Sequence, residues 1–153
     1  MLAGAIAYYQ EVAINEFCDL GYSNRGNQMI KTGGLSHIHL TVRDMERSLR
    51  FYEQLFGMKE MFRVKPHLVF LTTPDSHDII TLHLAEAGDS KVGNNGGISH
   101  FGFRVADAAQ MDVVADEVVK AGGAFIERGN HGPGVLYALI KDPDGYEIEL
   151  GTW

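Results

Sequence analysis

Apolar residues recur along the chain with two alternating rhythms, and each change of rhythm marks an element. From Ile38 to Val42 (I-H-L-T-V), and again from Phe101 to Val105 (F-G-F-R-V), every second residue is apolar, the period of a half-buried strand. The spacing then switches to three and four. Leu49, Tyr52, Leu55 and Phe56 follow the first strand, behind Asp44 as a cap and ahead of Gly57 as a stop. Met111, Val114, Val118 and Val119 follow the second, behind Asp107 and ahead of Gly122 and Gly123. Three strand-like runs come after each helix: near 61–64, 68–72 and 79–85 in the first half, and near 124–127, 136–141 and 146–151 in the second. Asp142-Pro143-Asp144-Gly145 is a strong turn between the last two. Gly129-Asn130-His131-Gly132-Pro133-Gly134 reads as a plain turn rather than a mobile lid.

The two halves are an internal repeat. G-L-S-H-I-H-L-T-V-R-D from Gly34 matches G-I-S-H-F-G-F-R-V-A-D from Gly97, with identical residues at Gly34/Gly97, Ser36/Ser99, His37/His100, Val42/Val105 and Asp44/Asp107. The expected fold is therefore α+β: two tandem βαβββ modules, 34–86 and 97–153, forming a curled mixed sheet around a central cavity. Residues 1–32 form a separate helical extension or tag-like segment. There Ile6, Tyr9, Ala13, Phe17 and Leu20 keep helical spacing ahead of Gly21, and no chemistry is assigned to them.

Strand alternation turns the repeat into a candidate site. Ile38, Leu40 and Val42 share one face, and His37, His39 and Thr41 the other. Phe101, Phe103 and Val105 stand opposite to His100, Gly102 and Arg104 in the same way. Aligning I-T-L-H-L (Ile80–Leu84) with Y-E-I-E-L (Tyr146–Leu150) sets His83 against Glu149. Four ligand-type residues thus occupy two pairs of repeat-related positions, His37 with His100 and His83 with Glu149. Three imidazoles and a carboxylate suit a divalent transition metal (Ni, Co, Zn, Fe or Mn) better than Ca or Mg. His39 and Arg104 are candidate substrate contacts on the same faces.

Composition narrows the partners. A net charge of −7 repels phosphate backbones and argues against nucleic acid. One cysteine, Cys18, permits no internal disulfide and fits a cytoplasmic location. No apolar run has the length of a bilayer span, and Glu11, Asn15 and Glu16 interrupt the N-terminal apolar stretch, so neither a membrane anchor nor a secretory signal is expected.

S-H-I-H-L-T-V-R-D-M-E-R-S-L-R-F-Y-E-Q-L-F-G-M (Ser36–Met58) and K-D-P-D-G-Y-E-I-E-L (Lys141–Leu150) resemble the vicinal oxygen chelate superfamily, over about Gly33 to Trp153. That family includes glyoxalase I, fosfomycin-resistance proteins, extradiol dioxygenases and bleomycin-binding proteins. The resemblance implies a metal held by His37, His83, His100 and Glu149, and a homodimer with sites at the interface. It implies a glyoxalase I-like (lactoylglutathione lyase-like) enzyme acting on a small substrate with vicinal oxygens through an enediolate, with Glu149 as base. His83 departs from the Glu that bacterial glyoxalase I tends to carry at its position. The alternatives are an Fe(II) extradiol-type dioxygenase using His37, His100 and Glu149, with His83 or His39 as acid/base, and a fosfomycin- or bleomycin-type resistance or binding protein. The first resistance type wants a cavity rich in Lys and Arg, and the second generally lacks the metal ligands.

Overall fold

The computed structural model describes residues 32–89, 91–93 and 97–152; the N-terminal helix expected around Ile6–Leu20 lies outside them. All the described regular elements fall in one compact unit, Ser36–Trp153. In the first module, β1 (Ile38–Val42) leads into α1 (Met45–Phe56), then β2 (Lys59–Val64), β3 (Leu68–Thr72) and β4 (Ile80–Leu84). In the second, β5 (Phe101–Arg104) leads into a 3-10 turn (Ala108–Asp112) and α2 (Val114–Lys120), then β6 (Ala124–Gly132), β7 (Val135–Lys141) and β8 (Glu147–Gly151). Each module folds into its own four-stranded mixed sheet, ordered β1-β4-β3-β2 and β5-β8-β7-β6, with the first and last strands parallel. None of the described helices is long and apolar enough to cross a membrane.

The caps behave as their chemistry dictates. The Asp44 carboxylate accepts the backbone N–H of Arg47, and Gly57 closes α1 in the left-handed region at φ 66°. Asp107 likewise accepts from Ala109, but the helix behind it divides. Its first turn is a 3-10 turn closed by the Val113 N–H on the Gln110 carbonyl, and α2 starts afresh at Val114 without a side-chain cap. The Gly-rich stretch also differs from the expected turn. Residues 129–132 continue β6 against β7, so His131 stands on a strand and the turn shrinks to Pro133 and Gly134.

Both sheets turn their apolar faces to one core. Leu40, Val42, Val69, Leu71, Ile80 and Leu82 come from the first; Ala138, Ile140, Ile148 and Leu150 come from the second. Helix α1 lies in this core with Phe51 and Tyr52 fully buried. Such aromatic rings add about 1.5–3 kcal/mol each through burial. Phe56 stacks on Phe103 across the modules, ring centroids 4.2 Å apart. Gly123 admits the same helix: a Cβ there would stand 2.6 Å from the Phe51 ring and 2.5 Å from the Lys141 carbonyl oxygen.

The turn between β7 and β8 fastens the modules together. Asp144 accepts from Ser48 Oγ at 2.6 Å, Arg47 Nη2 at 2.6 Å and the backbone N–H of Arg43 at 3.0 Å. Asp142 accepts the N–H groups of Asp144 and Tyr146, both at 2.9 Å, and the Tyr52 hydroxyl at 3.1 Å. Tyr146 Oη donates to the Thr41 carbonyl and accepts the Thr41 N–H, which covers part of the free edge of β1.

Burial raises the Asp142 carboxyl from its ordinary 3.8 to about 6, against the opposing pull of those three hydrogen bonds. A carboxyl that holds its proton more tightly in the fold than in the open chain stabilises the fold below about pH 4. That contribution is lost as the pH rises through about 6 and amounts to about 3 kcal/mol. In Asp142→Asn this pH dependence is absent, while the amide oxygen keeps the two backbone hydrogen bonds. Urea midpoints at pH 4 and pH 7 should therefore move in the variant's favour between the two pH values. A wild-type-to-variant gap that is equal at both would refute this role.

Candidate functional site

On the first sheet three histidines lie on the side that faces away from the shared core. His37 precedes β1 and is exposed, its Nδ1 2.9 Å from Ser36 Oγ. His39, on β1, and His83, on β4, meet edge to face with ring centroids 5.6 Å apart. The pKa of His39 is lowered from 6.5, first by burial and then by the charges of His83 and His37. Phe70 on β3 and Phe62 on β2 continue this face with rings 5.9 Å apart.

The second sheet carries Glu149 on β8, cross-strand from Gly102 and Leu139. Its carboxylate lies between two imidazoles: His100 Nε2 is 3.0 Å from Oε2, and His131 Nε2 is 2.8 Å from Oε1. The His131 ring stacks on Tyr137 at 4.4 Å and 12°. Tyr137 in turn donates to Glu127 at 3.2 Å. The repeat points to His100 and Glu149 together, while His131 reads from the sequence as part of a plain turn. The missed signal is that Gly129–Gly132 continues the β6 alternation, which sets His131 on the face of Glu127 and Gly129.

Strand register changes one repeat equivalence. Gly102 pairs with Glu149, while His39, its repeat counterpart, pairs with Thr81. By register Thr81, not His83, stands where Glu149 stands in the second module, and His83 lies two residues further along beside Thr41. Thr81 is fully buried, and its hydroxyl has no hydrogen-bond partner among the described residues. Within one chain, then, His37 and His83 belong to one sheet and His100 and Glu149 to the other. Among the described residues no three His, Cys, Asp or Glu side chains gather as a metal-holding group. Arg104 is exposed and lines a separate cleft of about 480 Å³, with Leu55, Phe56, Asp78, Phe103 and Glu117.

The Glyoxalase/Bleomycin resistance protein/Dioxygenase superfamily matches residues 34–150. A lactoylglutathione lyase of Neisseria meningitidis is 33% identical over 128 residues, covering 76% of this chain and 88% of that protein. A probable chloroplastic lactoylglutathione lyase of Arabidopsis thaliana is 35% identical over 124 residues; the match takes in 74% of this chain but spans only 34% of that relative's length. Among solved structures, a glyoxylase/bleomycin resistance protein/dioxygenase domain from Frankia superimposes with TM-score 0.65 at 27% identity, covering 79% of this chain and 98% of that one. The fosfomycin resistance protein FosX from Mesorhizobium loti does so with TM-score 0.62 at 25% identity, over 80% and 94%.

The histidines of the first sheet test the electrostatics of this face directly. In metal-free protein, His83→Asn should raise the apparent pKa of His39 toward 6.5 without reaching it, since burial outweighs the charge of His83. Proton NMR titration of the ring resonances measures this; an unmoved His39 would place His83 too far away to act on it.

Proposed function

The chain belongs to the Glyoxalase/Bleomycin resistance protein/Dioxygenase superfamily, and we propose that it is a metal-dependent glyoxalase I-like enzyme acting on a small substrate with vicinal oxygens. The observation that carries this reading is the His100–Glu149 pair. His100 and Glu149 would hold the ion through an imidazole nitrogen and a carboxylate oxygen, which lie 3.0 Å apart. The mixed imidazole and carboxylate donors suit Ni, Co, Zn, Fe or Mn. His37, the repeat counterpart of His100, and His83, on the same outward face, are the ligands the first module would offer.

The two half-sets face away from a common core, so a complete set needs the first module of one copy against the second module of another. Leu35 and Ile98, repeat partners just ahead of the edge strands β1 and β5, are 82% and 63% exposed and supply apolar surface for such a contact. A cytoplasmic homodimer with two shared sites goes with this reading.

A bound divalent ion would supply Lewis acidity toward the neighbouring oxygens of the substrate. Glu149 would take the proton from the carbon beside the carbonyl and return it to the next carbon. The relatives named as lactoylglutathione lyases support the hemithioacetal of methylglyoxal and glutathione as first substrate. The second reading is a dioxygenase, favoured by one observation: with Thr81 at the register position of Glu149, His37, His100 and Glu149 make a two-histidine, one-carboxylate set. Iron in the purified protein, with turnover of a catechol and none of the hemithioacetal, would select it.

Elemental analysis should find near one metal per chain, lost in His100→Ala. Glu149→Gln should lower kcat on the hemithioacetal by about a thousandfold. His37→Ala and His100→Ala, each inactive alone, should regain about a quarter of wild-type activity on mixing and subunit exchange. Half of the dimers are then mixed, and each of those carries one intact site. No regain after proven exchange would refute the shared site, and metal-free wild type that takes up no added metal would refute the enzyme.

A further inference from the structure

Glu149 is held from two sides, and only one holder belongs to the ligand set proposed above. The other, His131, is itself held in place. Register slips between Asn130 and Gly132 leave His131 at a bulge of β6, where a strand commonly re-aims a side chain. Beneath it, Gly129 leaves the room that the Tyr137 ring occupies: a Cβ at 129 would stand 2.7 Å from that ring. The Tyr137 hydroxyl is tied to Glu127, and its ring face carries the His131 imidazole at 4.4 Å and 12°. His131 Nε2 then meets Glu149 Oε1 at 2.8 Å and leaves Oε2 toward His100.

We infer that His131 is a positioning residue for Glu149. Its Nε2–H fixes one carboxylate oxygen, so the carboxylate offers the other, Oε2, alone on the side of His100. The bulge, the glycine and the Tyr137–Glu127 pair build this support from β6 and β7, outside the strands that carry the proposed ligands. Polar partners that orient a ligating side chain typically change metal affinity by 10–100-fold when removed. This inference rests on the metal-dependent reading of Glu149.

The test uses the full chain as wild type, His131→Ala and His131→Gln, whose amide N–H can take the place of Nε2–H. Calorimetric titration of metal-free protein with nickel, cobalt and zinc ions reads affinity, and steady-state kinetics on the hemithioacetal read kcat and KM. His131→Ala should bind metal about tenfold more weakly and lose about tenfold in kcat with KM little changed, and His131→Gln should restore most of both. A merely structural role would instead lower the thermal midpoint of both variants alike with no rescue by Gln, and would overturn the inference. Equal metal affinity and kcat in wild type and His131→Ala would overturn it too, while the proposed function stood. Wild type that takes up none of the three ions would overturn the proposed function and this inference together.

Discussion

Two buried carboxylates on one tight turn hold the two modules in register. Asp144 and Asp142 leave the second sheet between β7 and β8 and enter the first module at α1, where they meet Arg47, Ser48 and Tyr52. Burying a carboxylate costs several kcal/mol unless hydrogen bonds replace its water. Asp144 meets that condition with three donors from the other module, one of them the Arg47 guanidinium. Asp142 meets it with neutral donors alone, and burial still raises its pKa to about 6. The directional contacts fix where α1 sits over the second sheet, and the non-directional apolar core of Phe51, Phe56 and Phe103 fills in around it.

That placement decides what the functional faces can do. A helix shared between two sheets uses the apolar side of both, so the polar sides must look outward. The repeat therefore sets its polar residues on two separate outward faces: imidazoles on the first sheet, a carboxylate between imidazoles on the second. The buried apolar residues of both sheets form one core, which lies on the sides of the sheets away from the histidines.

Much of the fold was legible because each signal was local. Asp44, Gly57 and the strand alternation act within a few residues, and the repeat confirmed each element by showing it twice. What escaped was non-local. Whether His83 or Thr81 is the counterpart of Glu149 depends on the pairing of β4 with β1, and a slip of two residues leaves every side chain on the same face, so the apolar pattern reads equally well in both frames. His131 escaped because three glycines and a proline around it imitate a turn. The strand continues through Gly132 because backbone pairing with β7 needs no side chain. The split of the second helix follows from a 3-10 turn at Val113 that helical spacing alone does not reveal. The N-terminal segment lies outside the described residues.

The contents of the two outward faces bear on how copies would pair. The first carries His37, His39 and His83 with Phe62 and Phe70 beyond them; the second carries Glu149 held between His100 and His131, with Glu127 and Tyr137 beyond. Like-with-like pairing would set the three imidazoles of one first face against those of another. The pKa of His39 is lowered first by burial and then by the neighbouring charges of His83 and His37 on the same face. Unlike pairing would instead bring those imidazoles toward the Glu149 carboxylate, whose charge favours them. Because each copy carries one face of each kind, unlike pairing about a two-fold axis would close after two copies, and the proposed site would then occur twice. The charges that favour such unlike pairing would be the same ones that bring His37 of one copy toward His100 and Glu149 of the other.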